Sequence, residues 1–585
     1  MTGLLAGALL LSGDLHARCG ADALPVSEVQ GGGDSSPLSG STVTVEGVIT
    51  LDSREPNGWR GFYLQQADSQ ADNSPQTSEA LFIYTDRAGG AIGTRVRVTG
   101  QVKEYHGLTE LTRVSELTVC GPTPLPEPTT IELPWPGQQP PEHLENMRVV
   151  LRQPLTLIGH YSFERYGELI LADQPQVTPT EILPPGPDAE TMTSQQALNR
   201  LYLDDGLSKR NPDPLPWPAS LLTSGTPVRA GDRIAGLTGI LDFRFGQWRL
   251  QPARQPSYLE QNPRPKAPER SPSITLRVVT LNLGNFFNGD GNGKGFADSR
   301  GARNQSELAA QKSRLVATLT ALDPDVIATA EMENDDYGPA SAIAELATAL
   351  GPNWQFVATP GATGTDAIRT DLLYRADRVR TVAEPRRFDH GLFRYRGRPP
   401  IAQLFQPLAG DRQKIVRIVV PHLKSKACGG ASGADRDQGD GQGCYARRRT
   451  DAASALADWL ATLPEPEQTQ GEFAGTLVTG DLNSYAREWP IQRLESAGLT
   501  NLVRRHHECR RDDCPQSSYQ YQGRKGSLDY SLGSKPLLGQ VVGAGVWPVN
   551  AAEFPVINYQ GRLAAPIGTP WRSSDHNPLY TDLAL

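Results

Sequence analysis

The 585-residue chain predicts an α+β multidomain fold: one or two small β-barrels, then a larger domain in which strands alternate with helices. Two observations carry this. Between Val43 and Val102, short runs alternate apolar and polar residues and are separated by glycine-bearing turns. Beyond a proline-rich stretch, strand-like apolar runs alternate with segments of helical period. A chain of this size is expected to hold about two to four domains, each with its own core. The expected divisions are an N-terminal segment (1–20), a barrel (21–122), a second β domain (123–262), a linker (263–273) and the mixed domain (274–585).

In chain order, Met1–Ser12 is an apolar run followed by Leu15-His16-Ala17, and it reads as the remnant of a secretory signal without a basic leader. No later segment is long and apolar enough to span a bilayer. Barrel strands are expected at Val43–Ile49, Gly61–Leu64, Ala80–Tyr84 and Arg95–Val102. Trp59, Phe62 and Tyr63 could stack bases or fill the barrel core. A faint repeat follows: Gly100–Leu111 aligns with Gly239–Leu250, with the glycine spacing kept and Val102 and Leu111 falling on Leu241 and Leu250. The second copy carries an insertion, roughly Pro175 to Arg229. Six prolines between Gln251 and Pro272 mark the linker.

In the mixed domain, Asn304-Gln-Ser-Glu307 is a capping box, and Leu308, Leu315, Val316, Leu319 and Leu322 share one helical face. Pro324 ends that helix and Val326-Ile-Ala begins the next strand. Further strands are expected at Asp371–Tyr374, Ile415–Val420, Thr476–Val478 and Leu528–Leu532.

Six polar punctuations close these strand-like runs: Thr280-Leu-Asn282, Ala330-Glu331-Met332, Pro421-His422-Leu423, Gly480-Asp-Leu-Asn483, Ser527-Leu-Asp529-Tyr530 and Ser574-Asp575-His576-Asn577. A strand end is rigid, so six of them can converge on one rim. Two histidines with several amides and carboxylates suit a hard divalent cation and a phosphate ester. Glu333 has the same strand parity as Glu331 and is its rival. His506 and His507 belong to no such pattern and are expected at the surface. The net charge of −8 decides nothing about a polyanionic substrate. Arginines at 369–398 and Arg447–Arg449 could track a phosphate backbone or simply be solvated.

The six cysteines fall into apparent pairs. Cys428/Cys444 and Cys509/Cys514 bracket short loops, and Cys19 and Cys120 lie at opposite ends of the first domain. They read as disulfides formed in an oxidising compartment, since the spacing suits no zinc site. Gly289–Gly295 invites a calcium-loop reading but fails as an EF-hand, with Lys294 and Gly301 at positions five and twelve; only a looser structural Ca²⁺ site is compatible.

The ordered motifs, with Thr280–Gly291, Gly364–Arg369, Pro421–Lys426 and Gly526–Tyr530, resemble the endonuclease/exonuclease/phosphatase (DNase I-like) superfamily. More closely, the chain resembles secreted ExeM/NucH-type nucleases, which join an N-terminal OB-fold region to that catalytic domain. The resemblance implies a two-layer α/β sandwich, two mixed sheets face to face with helices outside. It implies Asn282, Glu331 and Asp575 as ligands of Mg²⁺ or Mn²⁺, and a His576–Asp529 dyad that activates water. Asp481 and Asn483 would position that water, and His422 would stabilise the phosphate oxygen or leaving group. Arg369, Lys424 and Lys426 would contact phosphate. The implied protein is a secreted, extracellular or periplasmic monomer cutting DNA, or RNA, with low sequence preference. Deleting residues 1–265 is expected to leave a folded catalytic core. The rivals are a phosphodiesterase or phosphatase acting on lipid or small phosphoesters, and a non-catalytic OB-type binding protein. The last is disfavoured because every ionisable catalytic position is filled.

Overall fold

The computed structural model describes residues 19–72, 74–138, 140–296, 300–359, 363–395, 397–410, 413–467, 469–563 and 567–585. Of the expected N-terminal segment, residues 1–18 lie outside the described residues. The chain forms two compact units, one of 1–152, 201–210 and 236–256, the other of 153–200, 211–235 and 257–585. The 123–262 region expected as a second domain is thus divided between them.

In the first unit, the strands Thr42–Ser53, Gly61–Gln65, Ala80–Tyr84, Leu108–Pro122 and Thr94–Tyr105 lie side by side in that order and close into a barrel. Alternation places Val43, Val45, Phe62, Leu64, Leu81, Ile83, Val96 and Val98 inside. Gly47 permits the close approach of the neighbouring strand, since a Cβ there would meet Leu64 at 2.5 Å. Tyr63 and Phe82 point to the other face and pack with Leu108 and Ile240. Phe62 and Tyr63 are therefore core and cannot stack bases; of that trio only Trp59 is partly exposed. The two repeat copies are both hairpins with two-residue turns, registering Val102 with Leu111 and Leu241 with Leu250. The second copy belongs to an open sheet with Arg148–Val150 and Leu201–Leu203, not to a closed barrel. Cys19 is bonded to Cys120.

The second unit is a mixed α/β sandwich. One six-stranded sheet runs Trp354–Phe356, Ile368–Arg375, Val326–Glu333, Leu276–Phe286, Leu579–Leu583, Val541–Val546. The other runs Val379–Arg387, Ile401–Pro407, Lys414–Val420, Glu472–Asp481, Asp529–Ser534, Leu499–Asn501. Their inner faces share a core that includes Leu276, Val278, Leu372, Val416, Ile418 and Leu477. Gln305–Leu322 and Ala342–Leu350 cover the first sheet outside, and Ala446–Thr462 and Trp489–Ser496 the second. The N-cap half of the predicted capping box forms, Asn304 Oδ1 accepting from Glu307 N at 3.0 Å, while the Glu307 carboxylate accepts from Arg303 N at 2.9 Å.

The period of two explains where the polar residues go. Along Leu276–Phe286, Leu276 and Val278 face the shared core while Val279 and Leu281 face the helices. Continuing the inner parity gives Thr280 and then Asn282. The same parity carries Leu477 to Thr479 and Asp481, and Val416, Ile418 and Val420 to His422. One end of the core thus turns polar. Hydroxyl pairs seal it from the apolar part: Thr280 bonds Thr479 across the sheets at 2.5 Å, and Ser531 bonds Thr581.

Candidate active site

Six strand ends or adjoining loops bring a shared set of groups together. His576 Nδ1 lies 2.7 Å from Asp529 Oδ2, and Asp481, Asp529 and His576 each offer an atom within 4.8 Å of the others. Asp481 and Asp529 are register partners on neighbouring strands. Asn282 Nδ2 donates to Asp481 Oδ2 at 3.0 Å, so the two sheets meet at this carboxylate. His422 Nε2 approaches the same oxygen at 3.4 Å. Asn483, at positive φ, donates its N–H to Asp481 Oδ1 at 2.8 Å and its amide to Leu423 O at 3.1 Å.

Glu331 reaches the site by a different route. The pairing register slips between Thr329 and Met332, and Glu331 adopts φ 61°, a left-handed conformation that β-strand residues avoid. Its carboxylate accepts from Asn285 N at 2.9 Å and feels Asp575 and His576. Glu333 accepts from Asn288 N at 2.8 Å.

Burial and charge set the proton affinities. Burial opposes charge on His576, but Asp529 and Asp575 outweigh it and hold the imidazole proton well above its ordinary range. Burial, then Arg398, His576 and Lys424, push His422 well below that range, so it is neutral. Burial and the Asp529 charge push Asp481 up to about 7. Glu331 is raised by burial and by Asp575. Glu331, Asp575 and the Asn282 amide thus supply neighbouring oxygen atoms, the donor type that a hard cation prefers. The buried Asp529 Oδ1 and His422 Nδ1 have no hydrogen-bond partner among the described residues.

Two expected phosphate contacts are corrected. Arg369 is fully buried, with Nε 2.7 Å from Asp371 and its guanidinium stacked 4.4 Å over Tyr337, so it closes a structural ion-pair network. Lys426 lies 2.6 Å from Glu488, and burial lowers its pKa to about 8. Lys424 is half-buried over the Tyr445 ring, and its Nζ bonds no carboxylate among the described residues. In the Gly289–Gly295 loop, Asp290 Oδ1 accepts from Asn292 N at 2.8 Å and Lys294 N at 3.0 Å. The Cys428–Cys444 and Cys509–Cys514 bridges are present.

Several supporting residues carried no sequence signal. Tyr519 packs its ring 4.6 Å from His576. Ser518 Oγ accepts from Leu528 N and Asp529 N at 3.0 and 3.1 Å. Arg398 donates to Leu423 O at 3.1 Å and pairs with Asp366 at 3.2 Å; only its place in the arginine-rich run pointed to it. Glu181, from the insertion, accepts from Ser527 N at 3.0 Å and from Arg504, which in turn bonds Ser527 Oγ at 3.0 Å. The insertion therefore holds the loop that carries Asp529.

Residues 279–576 match the family model described as Endonuclease/Exonuclease/phosphatase family, and the chain belongs to that family. No curated protein sequence matches it. Among solved structures it is similar to the human Nocturnin catalytic domain with bound sulfate (17% identity, 53% of this chain and 93% of that one, TM-score 0.31). It is also similar to a mannosyl-6-phosphatase from Bacteroides thetaiotaomicron (15%, 53% and 99%, 0.34). A third is the 3′ phosphatase NExo from Neisseria bound to a product DNA hairpin (14%, 53% and 99%, 0.32).

Proposed function

We infer that the chain is a secreted, divalent-metal-dependent nuclease that hydrolyses DNA phosphodiester bonds with low sequence specificity. The family's members are phosphodiesterases and phosphatases and generally use a divalent metal. The observation that carries the chemistry is the 2.7 Å His576–Asp529 pair with Asp481 beside it. Asp529 fixes Nδ1 and leaves Nε2 to take a proton from water. Asp481, steadied by Asn282 and Asn483, orients that water. His422, kept neutral, offers a hydrogen bond to a phosphate oxygen. Asn282, Glu331 and Asp575 would hold Mg²⁺ or Mn²⁺. Such an ion, when bound, neutralises charge developing on the phosphate. Because three carboxylates favour the imidazolium, His576 becomes neutral more readily once positive charge enters the same shell. Lys424 is the remaining lysine placed to meet phosphate.

Three disulfides support export to an oxidising compartment. Among the described residues no helix is long and apolar enough to cross a membrane. The strand order of the closed barrel supports an OB-type reading of the N-terminal region. A substrate panel tests the assignment: closed-circular and linear DNA, RNA, and phosphoinositide and sugar-phosphate monoesters, each with Mg²⁺ or Mn²⁺. Turnover of DNA far above the monoesters is expected. Preference for a lipid headgroup or sugar phosphate would replace the nuclease reading with the phosphatase one.

A further inference from the structure

The first unit has a cavity of about 680 Å³, of ligand-binding size, walled by Trp59, Tyr84, Tyr105 and Phe245 with Lys103 and Arg244. Trp59 packs against the apolar cluster of Tyr63, Phe82, Leu108 and Ile240, but the other three rings are not core. Tyr84, Tyr105 and Phe245 are 37%, 47% and 71% exposed. Trp59 keeps its Nε1–H without a hydrogen-bond acceptor among the described residues.

The turns around the cavity are strained. Arg60, His106 and Phe245 sit at φ 61°, 55° and 54°, conformations that Gly, Asn or Asp occupy at a smaller penalty. His106-Gly107 and Phe245-Gly246 are the tips of the two repeat hairpins. Phe245 touches Trp59 (6.0 Å between rings) and Arg249 (5.2 Å) yet stays mostly exposed, so burial is a weak reason for an aromatic ring at a strained turn.

Cations accompany the rings. Arg60 lies 5.7 Å over Tyr84, Lys103 4.5 Å over Tyr105 and Arg244 4.7 Å over Trp59. Arg244 is paired with Asp242 and Lys103 lies 3.8 Å from Glu110, whereas Arg60, beside Tyr84, has no ion pair among the described residues.

We propose that this cavity binds single-stranded nucleic acid, with bases stacking on Tyr84, Tyr105 and Phe245 and Arg60 and Lys103 meeting the phosphates. Paired bases keep their faces covered, so a duplex cannot use the rings this way. The site is separate from the hydrolytic machinery, and binding there does not depend on the assigned chemistry.

The test is fluorescence anisotropy of the full chain with a labelled oligothymidylate of about ten nucleotides, in EDTA so that hydrolysis plays no part. Phe245→Ala and Tyr105→Ala are each expected to weaken binding about tenfold, while Phe245→Trp retains it. Phe245→Asn should lose affinity like the alanine variant yet melt at a higher temperature, because Asn tolerates the turn. Equal affinity of wild type and both alanine variants, equally tight binding of the matching duplex, competition by a neutral oligosaccharide, or no binding by wild type would each overturn the proposal.

Discussion

The sandwich and the barrel unit keep their functional groups in opposite ways. At the sandwich rim, Asp481, Asp529, His422 and His576 are only 2%, 3%, 4% and 6% exposed, and the groups around them fix their positions. In the barrel unit the rings stand out from hairpin tips. Chemistry at a fixed distance needs side chains whose rotamers are locked, and strand ends inside a core supply that. Binding a flexible polymer tolerates rings on turns, provided they remain exposed. The difference teaches that one molecule can place rigid polar groups by strand parity and adaptable apolar ones by turn strain.

The largest expected effect breaks the rigid site alone. His576→Ala or Asp481→Ala should lower turnover by about 10²–10⁴-fold with little change in the melting curve; near-normal rates would refute their roles. EDTA should abolish hydrolysis and Mg²⁺ or Mn²⁺ restore it, whereas full activity in chelator would remove the metal from the account.

Next is truncation before residue 265. The sequence suggested that this would free a folded core, but Gln153–Arg200 and Asn211–Ala235 belong to the same compact unit as 257–585. Soluble, active protein is not expected from the fragment, as judged by gel filtration and activity. A narrower change is Glu181→Ala, which leaves Arg504 and Ser527 N–H without their carboxylate. A loss of about 3 kcal/mol in stability is expected by denaturant titration, with a fall in turnover because Asp529 loosens.

Much of the sandwich site was legible because its residues continue an inner strand parity already marked by Leu276, Val278, Val416 and Ile418. Glu331 was ambiguous because a bulge, which leaves no periodic trace, turns it inward. Arg369 and Lys426 misled because an isolated basic residue near a motif looks the same whether it meets phosphate or a buried carboxylate. Glu181 and Tyr519 were invisible: the contacts that matter span long stretches of sequence. The barrel strands were readable from alternation, but Phe245 was not, since nothing local distinguishes a strained, exposed phenylalanine from a core one. The divided 123–262 region was missed because a repeat in sequence indicates a repeated hairpin, not a repeated domain.

The smallest effect sharpens the barrel side. Burial, then Asp34 and Glu104, raise Glu142 from about 4.5 to about 7. The folded state therefore binds more protons than the unfolded one across that window, and stability falls as pH rises from about 4.5 to about 7. Glu142→Gln should flatten this slope in thermal melts without altering hydrolysis.

The central claim is that His576, oriented by Asp529, is the base. Its most direct test is the pH–rate profile for nicking closed-circular plasmid by wild type and Asp529→Asn, with His576→Ala as control. Turnover should rise with pH as His576 loses its proton. In Asp529→Asn the imidazolium loses its main stabilising charge, so the rising limb should move to lower pH while the plateau falls by about 10²-fold or more. An unmoved limb, or a His576→Ala enzyme that nicks at the wild-type rate, would contradict the account.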